Sequence, residues 1–218
     1  MKLIAKDNTT LRSVAKMWDY ENPPEDLIEL RDKLINTMMD EGGIGLAAPQ
    51  VGVPYRVFVM RGEGAEESML MVNPEIVDHS VETAAIEEGC LTGGLEGIFC
   101  ILTRPESIRA RWQNEDGDVR ELSFGGMSGR CFQHELDHLN GVLFIDHASQ
   151  IKLERAVKKM NLEKYLLVRL ERAQVDLKGI RPQHSATGLY INVDDIKRWL
   201  KEFKILERME RQQKFGIE

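Results

Sequence analysis

The segment His134-Glu135-Leu136-Asp137-His138 constrains this chain more than any other. On an α-helix, residues i and i+4 lie on one face, one turn apart. Two imidazoles so placed can grip a single metal ion, while Glu135 reaches a water held by that ion. A metal with an open position, neutral nitrogen donors and a neighbouring carboxylate is the equipment for metal-assisted hydrolysis of an amide. The plain alternative is an exposed amphipathic helix that spells H-E-x-x-H by chance.

A third ligand decides between the enzymes that use this pattern. One version continues H-x-x-G-x-x-H; here Gly141 is in place, but the last position is Phe144, which binds no metal. Another uses a downstream glutamate, and Glu154 and Glu163 both fall in a Lys/Arg/Glu-rich stretch that reads as a solvated helix. Thiolates are strong ligands for zinc and ferrous iron. Cys131 shares the helical face of His134, but its Cα lies about 7.5 Å along the axis from a metal between the histidines, beyond a cysteine's reach. Cys131 and Cys100, the latter in the apolar run Ile98-Phe99-Cys100-Ile101-Leu102, read as small core residues. Cys90 sits in a glycine-bearing turn after a strand-like stretch, and a turn can aim a thiolate across at a helix.

At this point the chain resembles a known family. Gly43-Ile44-Gly45-Leu46-Ala47-Ala48-Pro49-Gln50, Glu88-Gly89-Cys90-Leu91-Thr92 and Gln133-His134-Glu135-Leu136-Asp137-His138-Leu139-Asn140-Gly141 are similar, in order and spacing, to the three motifs of the peptide deformylases. The resemblance covers about residues 1–165. It implies that Cys90, His134 and His138 hold one divalent metal, with water in the fourth position and Glu135 moving its proton. It implies hydrolysis of the N-formyl group from the formylmethionine of new polypeptides, releasing formate. The side-chain amide of Gln50 and the backbone N–H of Leu91 are the implied donors to the developing oxyanion; the bland reading of Gln50 is a loop residue bonding a carbonyl. Ile44 and Gly45 are implied to pair with the substrate backbone as an added strand, Gly43 and Gly45 leave room for close approach, and Gly89 is implied to contact substrate beside them. Ile86 and His134 are expected at the methionine pocket, and Arg104 is expected to pair with Asp137 behind the metal helix. A Cys/His/His site by itself suggests zinc; the family implies ferrous iron in the cell, with nickel, cobalt or zinc as substitutes.

The chain departs from the family pattern in three places. Thr92 stands where serine is commoner. Gly93-Gly94 replaces a more usual Ile-Pro and is expected to loosen that stretch. Arg130 occupies a position that is usually apolar. It reads either as a surface arginine on the far side of the helix or as a pocket residue whose aliphatic stem packs while the guanidinium reaches water.

Composition sets the surroundings. The net charge of −7 argues against general nucleic-acid or DNA binding. Residues 152–172 run the other way, with seven cationic against three anionic side chains. They read as a solvated helix face or, by the resemblance, as a weak ribosome-docking element. The apolar runs are far shorter than the ~20 residues a membrane helix needs, so no membrane association is expected. The start shows neither a secretory h-region nor a transit-like composition. Three cysteines suggest no disulfide framework. A reducing cytoplasm fits.

The hydrophobic pattern predicts a helix over 23–41, capped by Asn22 with Pro23 first, and with Leu27, Leu30, Leu34, Ile35 and Met38 as its stripe. Strands are predicted at 55–60, 69–72, 81–87, 107–113 and 119–124, the last two joined by a turn at Asp116-Gly117. The metal helix is predicted from near Gly126 to Gly141. This plan is α+β, with mixed and antiparallel strands around a central metal-binding helix. A catalytic domain over 1–165 is followed by a helical C-terminal extension over 166–218. In the extension, residues 178–190 read as a linker. Asn192 is a candidate cap for a last helix striped by Ile196, Trp199, Leu200, Phe203, Leu206 and Met209. Two rivals stand beside the deformylase reading. A protease for internal peptide bonds is weakened by Phe144, and a purely structural metal module by Glu135, since a closed site needs no neighbouring base.

Overall fold

Val57-Phe58-Val59-Met60 is apolar at every position, and the structure shows why. Val57 and Val59 face one core, Phe58 and Met60 the other, and all four are fully buried. Side chains alternate across a strand, so an unbroken apolar run marks a strand covered on both faces. The computed structural model describes residues 1–61, 68–172, 183–185 and 188–190. Its main sheet is antiparallel, in the order β1 (Gly45–Ala47), β2 (Val57–Arg61), β3 (Ser68–His79), β6 (Ser107–Gln113), β7 (Val119–Gly125). A second pair, β4 (Thr83–Glu88) and β5 (Cys100–Pro105), forms its own antiparallel ladder.

Two helices cover the main sheet. Helix α1 (Leu27–Asp40) brings Leu27, Leu30, Leu34 and Met38 against Leu46, Val57, Val59, Leu70 and Val72. Helix α2 (Gly126–Leu139) brings Phe132, Cys131 and Leu139 against Phe58, Met60, Met71, Ile108, Ala110 and Phe124. There the Phe132 ring lies edge-on to Phe58 and stacks on Phe124, with centroids 5.2 and 5.6 Å away. Nine residues of α2 are buried, because its other side faces the β4–β5 ladder. The expected α+β plan around a central helix is the observed one, and α2 keeps its predicted limits. It is stopped by Gly141, whose φ of 75° favours glycine.

Three expectations change. The first helix begins at Leu27, capped by Asp26, whose side chain accepts from Glu29 N at 2.9 Å. Asn22 instead joins a turn on Asp19. Pro24 disfavours helical backbone at Pro23, which delays the start. Strands β1 and β5, which the hydrophobic pattern did not separate from motif and core, are both present. Residues 183–185 and 188–190, read as linker, form a short two-stranded pair, β8–β9. Helix α3 (Gln150–Arg172) carries the cationic run. The chain divides into two compact units, the first essentially Met1–Ala156, the second beginning at Val157. The predicted helix after Asn192 lies outside the described residues. Among the described residues no helix is long and apolar enough to cross a membrane.

Candidate metal centre

Strand β4 ends at Glu88, and Gly89 then turns the chain so that Cys90 faces α2. On α2, His134 and His138 stand one turn apart with ring centroids 5.0 Å apart. One ligand atom from each of Cys90, His134 and His138 lies within 4.8 Å of the others, and all three residues are buried. Cys90 Sγ is 3.3 Å from His138 Nε2. This is the one such grouping of His, Cys, Asp or Glu among the described residues. Cys131 stays out of it, donating its thiol to the Ile44 carbonyl at 3.5 Å, and Cys100 is core. A sulfur and two imidazoles at this separation suit a four-coordinate zinc or ferrous ion with one position left over.

The electrostatics agree. Burial alone would raise the Cys90 thiol, but His138 and His134 outweigh it and hold the thiol well below its ordinary range. Burial pushes the Glu135 carboxyl up to about 7 against the pull of both histidines. Glu135 Oε2 and His138 Nδ1 are buried without a hydrogen-bond partner among the described residues. An orphaned buried carboxylate oxygen is costly, and a group that acts on a ligand is one that keeps such an atom free.

Gln50 is 1% exposed and sits in a short 3-10 turn, Ala48–Val51. Its Oε1 accepts from Ala47 N at 2.7 Å, which fixes the amide's orientation. The NH2 end then points to Cys90 Sγ at 3.6 Å and Thr92 Oγ1 at 3.3 Å. The loop-residue reading of Gln50 therefore fails: its amide is aimed into the site. Thr92 is fully buried, with its hydroxyl 3.2 Å from Cys90 Sγ.

Behind the site stands Glu88, a residue the sequence reading passed over although it opens the second motif. It lies two residues before Cys90. Its Oε2 is 3.1 Å from His134 Nδ1, which leaves Nε2 for the Cys90 side. Arg104 binds both Glu88 oxygens and also donates to Asp137 Oδ2 at 2.6 Å. The expected Arg104–Asp137 pair is present and extends to His147 Nε2, 2.8 Å from the same oxygen. Burial opposes ionisation of Glu88, but His134 and Arg104 keep its carboxyl far below the ordinary range.

The structure corrects the reasons given for several residues. Arg130 is neither on the helix's far side nor open to water. It is 4% exposed and donates to Glu88 Oε1 and to the Ala84 and Leu102 carbonyls. Gly45 is required by its own fold: an added Cβ would lie 2.5 Å from Glu135 Oε1 and 2.6 Å from Cys131 Sγ. At Gly43 a Cβ would lie 2.6 Å from Leu91 Cδ1. The Ile44 carbonyl is taken by Arg61 N at 2.8 Å; strand alternation then turns the backbone groups of Gly45 to the outer edge of β1, the end strand of the sheet. Ile86 is half-buried on β4, on the face it shares with Ala84 and Glu88. Gly93 is not loose. Its N–H donates to Ile4 O at 3.0 Å, its carbonyl accepts from Lys6 N at 2.9 Å, and a Cβ there would meet Ile4 O at 3.0 Å.

Comparison with known proteins agrees with this geometry. The family model described as polypeptide deformylase matches residues 1–154. A peptide deformylase of Mesorhizobium japonicum is 39% identical over 160 residues, covering 72% of this chain and 89% of its own length. The crystal structure of a Thermotoga maritima peptide deformylase superposes with a TM-score of 0.63 at 38% identity, covering 68% of this chain and 97% of its own. A class I type b peptide deformylase from Acinetobacter baumannii, solved with Met-Ala-Ser bound, superposes with the same score at 30% identity, covering 68% of this chain and 98% of its own. With that match running through all three motifs and the buried Cys/His/His cluster, the chain belongs to the polypeptide deformylase family of metal-dependent hydrolases.

Proposed function

We propose that this protein removes the formyl group from the N-terminal methionine of new polypeptides, with Cys90, His134 and His138 holding one divalent ion and Glu135 as the general base. The observation that carries this is three donor atoms within 4.8 Å beside a buried carboxylate oxygen that has no partner among the described residues. When bound, the ion acidifies water, polarises the formyl oxygen and offsets the negative charge of Cys90 and Glu135. Ferrous iron is the proposed physiological ion, with nickel, cobalt and zinc able to substitute, because thiolate with two imidazoles suits all four.

Glu135 takes a proton from the attacking water and passes it to the departing amine. Burial raises the Glu135 carboxyl and a bound ion would lower it again, so the same group can take the proton and return it. The Gln50 amide and the Leu91 N–H donate to the oxygen that becomes negative. The substrate lies along the free edge of β1, received by Gly43, Ile44 and Gly45, with Gly89 on its other side. Its methionine side chain packs near Ile86 and His134. Residues 1–165 form the catalytic domain and 166–218 an extension, so a chain ending after residue 165 is expected to keep turnover. The cationic residues of 152–172 give weak, salt-sensitive docking to the ribosome, which sedimentation with ribosomes at rising salt would reveal. The setting is the cytoplasm, where reduced thiols persist.

The deciding experiment is formate release from formyl-Met-Ala-Ser by protein loaded with ferrous iron or nickel in the absence of oxygen. Cleavage of internal bonds in unformylated peptides, with no formate released, would favour a protease and end this proposal.

A further inference from the structure

Arg130 lies one helical turn before His134 and places a buried positive charge on the carboxylate behind it. Its Nη1 donates to Glu88 Oε1 at 2.9 Å and to the Leu102 carbonyl at 3.2 Å, and its Nη2 donates to the Ala84 carbonyl at 2.6 Å. Glu88 does not need this arginine for its orientation. Arg104 already binds it with two prongs, Nε to Oε1 at 2.8 Å and Nη2 to Oε2 at 3.0 Å, a fork that sets the plane of a carboxylate. What Arg130 contributes to Glu88 is charge. Arg104 and Arg130 balance Glu88 and Asp137; without Arg130 the same cluster carries one net negative charge.

That charge reaches the metal site through one bond. His134 Nδ1 donates to Glu88 Oε2 at 3.1 Å. A carboxylate accepting from an imidazole N–H raises the basicity of the ring's other nitrogen. A second guanidinium on that carboxylate withdraws part of this effect, and in a buried site the withdrawal is weakly screened. We propose that Arg130 is a positioning residue for the metal centre, acting through Glu88 to weaken donation from His134 Nε2 and so to loosen the hold on the ion. This inference rests on the proposed metal ligands.

The test uses the full chain loaded with cobalt(II), comparing the parent with Arg130→Met and Arg130→Lys. Two quantities are read: the visible absorption of the cobalt and the rate of its loss to a chelator. R130M is expected to shift the cobalt bands and to slow metal loss on the order of tenfold. R130K, which keeps the charge, is expected to stay near the parent. Unchanged bands, or metal lost at the parent rate or faster in R130M, would overturn the inference. A plain brace between α2 and the β4–β5 ladder would lower the melting temperature of both variants and leave the bands unmoved, which also overturns it. Where R130M does not fold, Arg130→Gln removes the charge but keeps a polar side chain there, with the same outcomes expected. A parent protein that takes up no cobalt sinks the metal-centre reading itself, and this inference with it.

Discussion

At the scale of single residues, Glu135 shapes its surroundings as much as they shape it. Its carboxylate occupies the space where a Cβ on Gly45 would stand, and Cys131 fills the rest. Gly45→Ala should therefore force both side chains aside, at a cost of roughly 1–3 kcal/mol. It should also displace the proposed general base, so that denaturant melts and formate release fall together; normal turnover in the Gly45→Ala variant would contradict this seating. Glu135→Gln leaves the three metal donors in place. It should retain metal by elemental analysis and lose turnover by roughly 10²–10⁴-fold, the range for a general acid–base. Most of these residues were legible from the sequence, because spacing within a motif is local. Glu88 was not, and Arg130 stood out only as a departure whose partners stayed hidden. Their importance lies in contacts across 42 and 46 positions of chain, between Arg130 and Glu88 and between Glu88 and His134, and no local spacing announces such a meeting.

At the scale of elements, helix periodicity identified α1 and α2, and the cap of α1 was the error. Asp26 accepts from Glu29 N, so Asp26→Ala should cost about 1 kcal/mol. Asn22→Ala, by contrast, should leave helix stability nearly unchanged, and urea unfolding of the two variants separates these outcomes. Among strands, alternation found β6, where Ile108, Ala110 and Trp112 face inward while the residues between are exposed, and the Asp116-Gly117 turn found β7. Strand β1 was hidden for the opposite reason. All three of its residues are buried, and so short a buried run has no readable period. Strand β4 begins at Thr83 rather than Val81, which is 92% exposed and lies outside the ladder.

At the scale of the whole molecule, contacts far apart in the chain close the structure. Tyr20 ties the N-terminal segment to the β6–β7 turn: its hydroxyl donates to the Asn114 carbonyl at 2.6 Å, and its ring lies over Gly117. Burial, aided by the charges of Glu115 and Asp116, pushes its pKa from 10.0 up to about 12. A phenol more weakly acidic in the fold than in the unfolded chain stabilises the fold fully below its unfolded pKa, and that contribution is lost as pH rises through the folded value. Stability should therefore fall as pH climbs from about 10 to about 12. Tyr20→Phe should flatten this limb while lowering stability at neutral pH, which urea midpoints on either side of the window would measure. An equally steep alkaline limb in the variant would assign it to other groups.

By itself the sequence determined the helix with its two histidines and neighbouring glutamate, and the family, since each motif depends on neighbours within a few positions. The motif resemblance pointed to Cys90, and only the tertiary structure brought its sulfur within reach of those histidines. It alone showed that Gln50 aims its amide inward and that two arginines share the carboxylate behind His134. The physical reason is that helical periodicity is a property of local backbone geometry, whereas the meeting of β4 with α2 depends on how two buried faces pack.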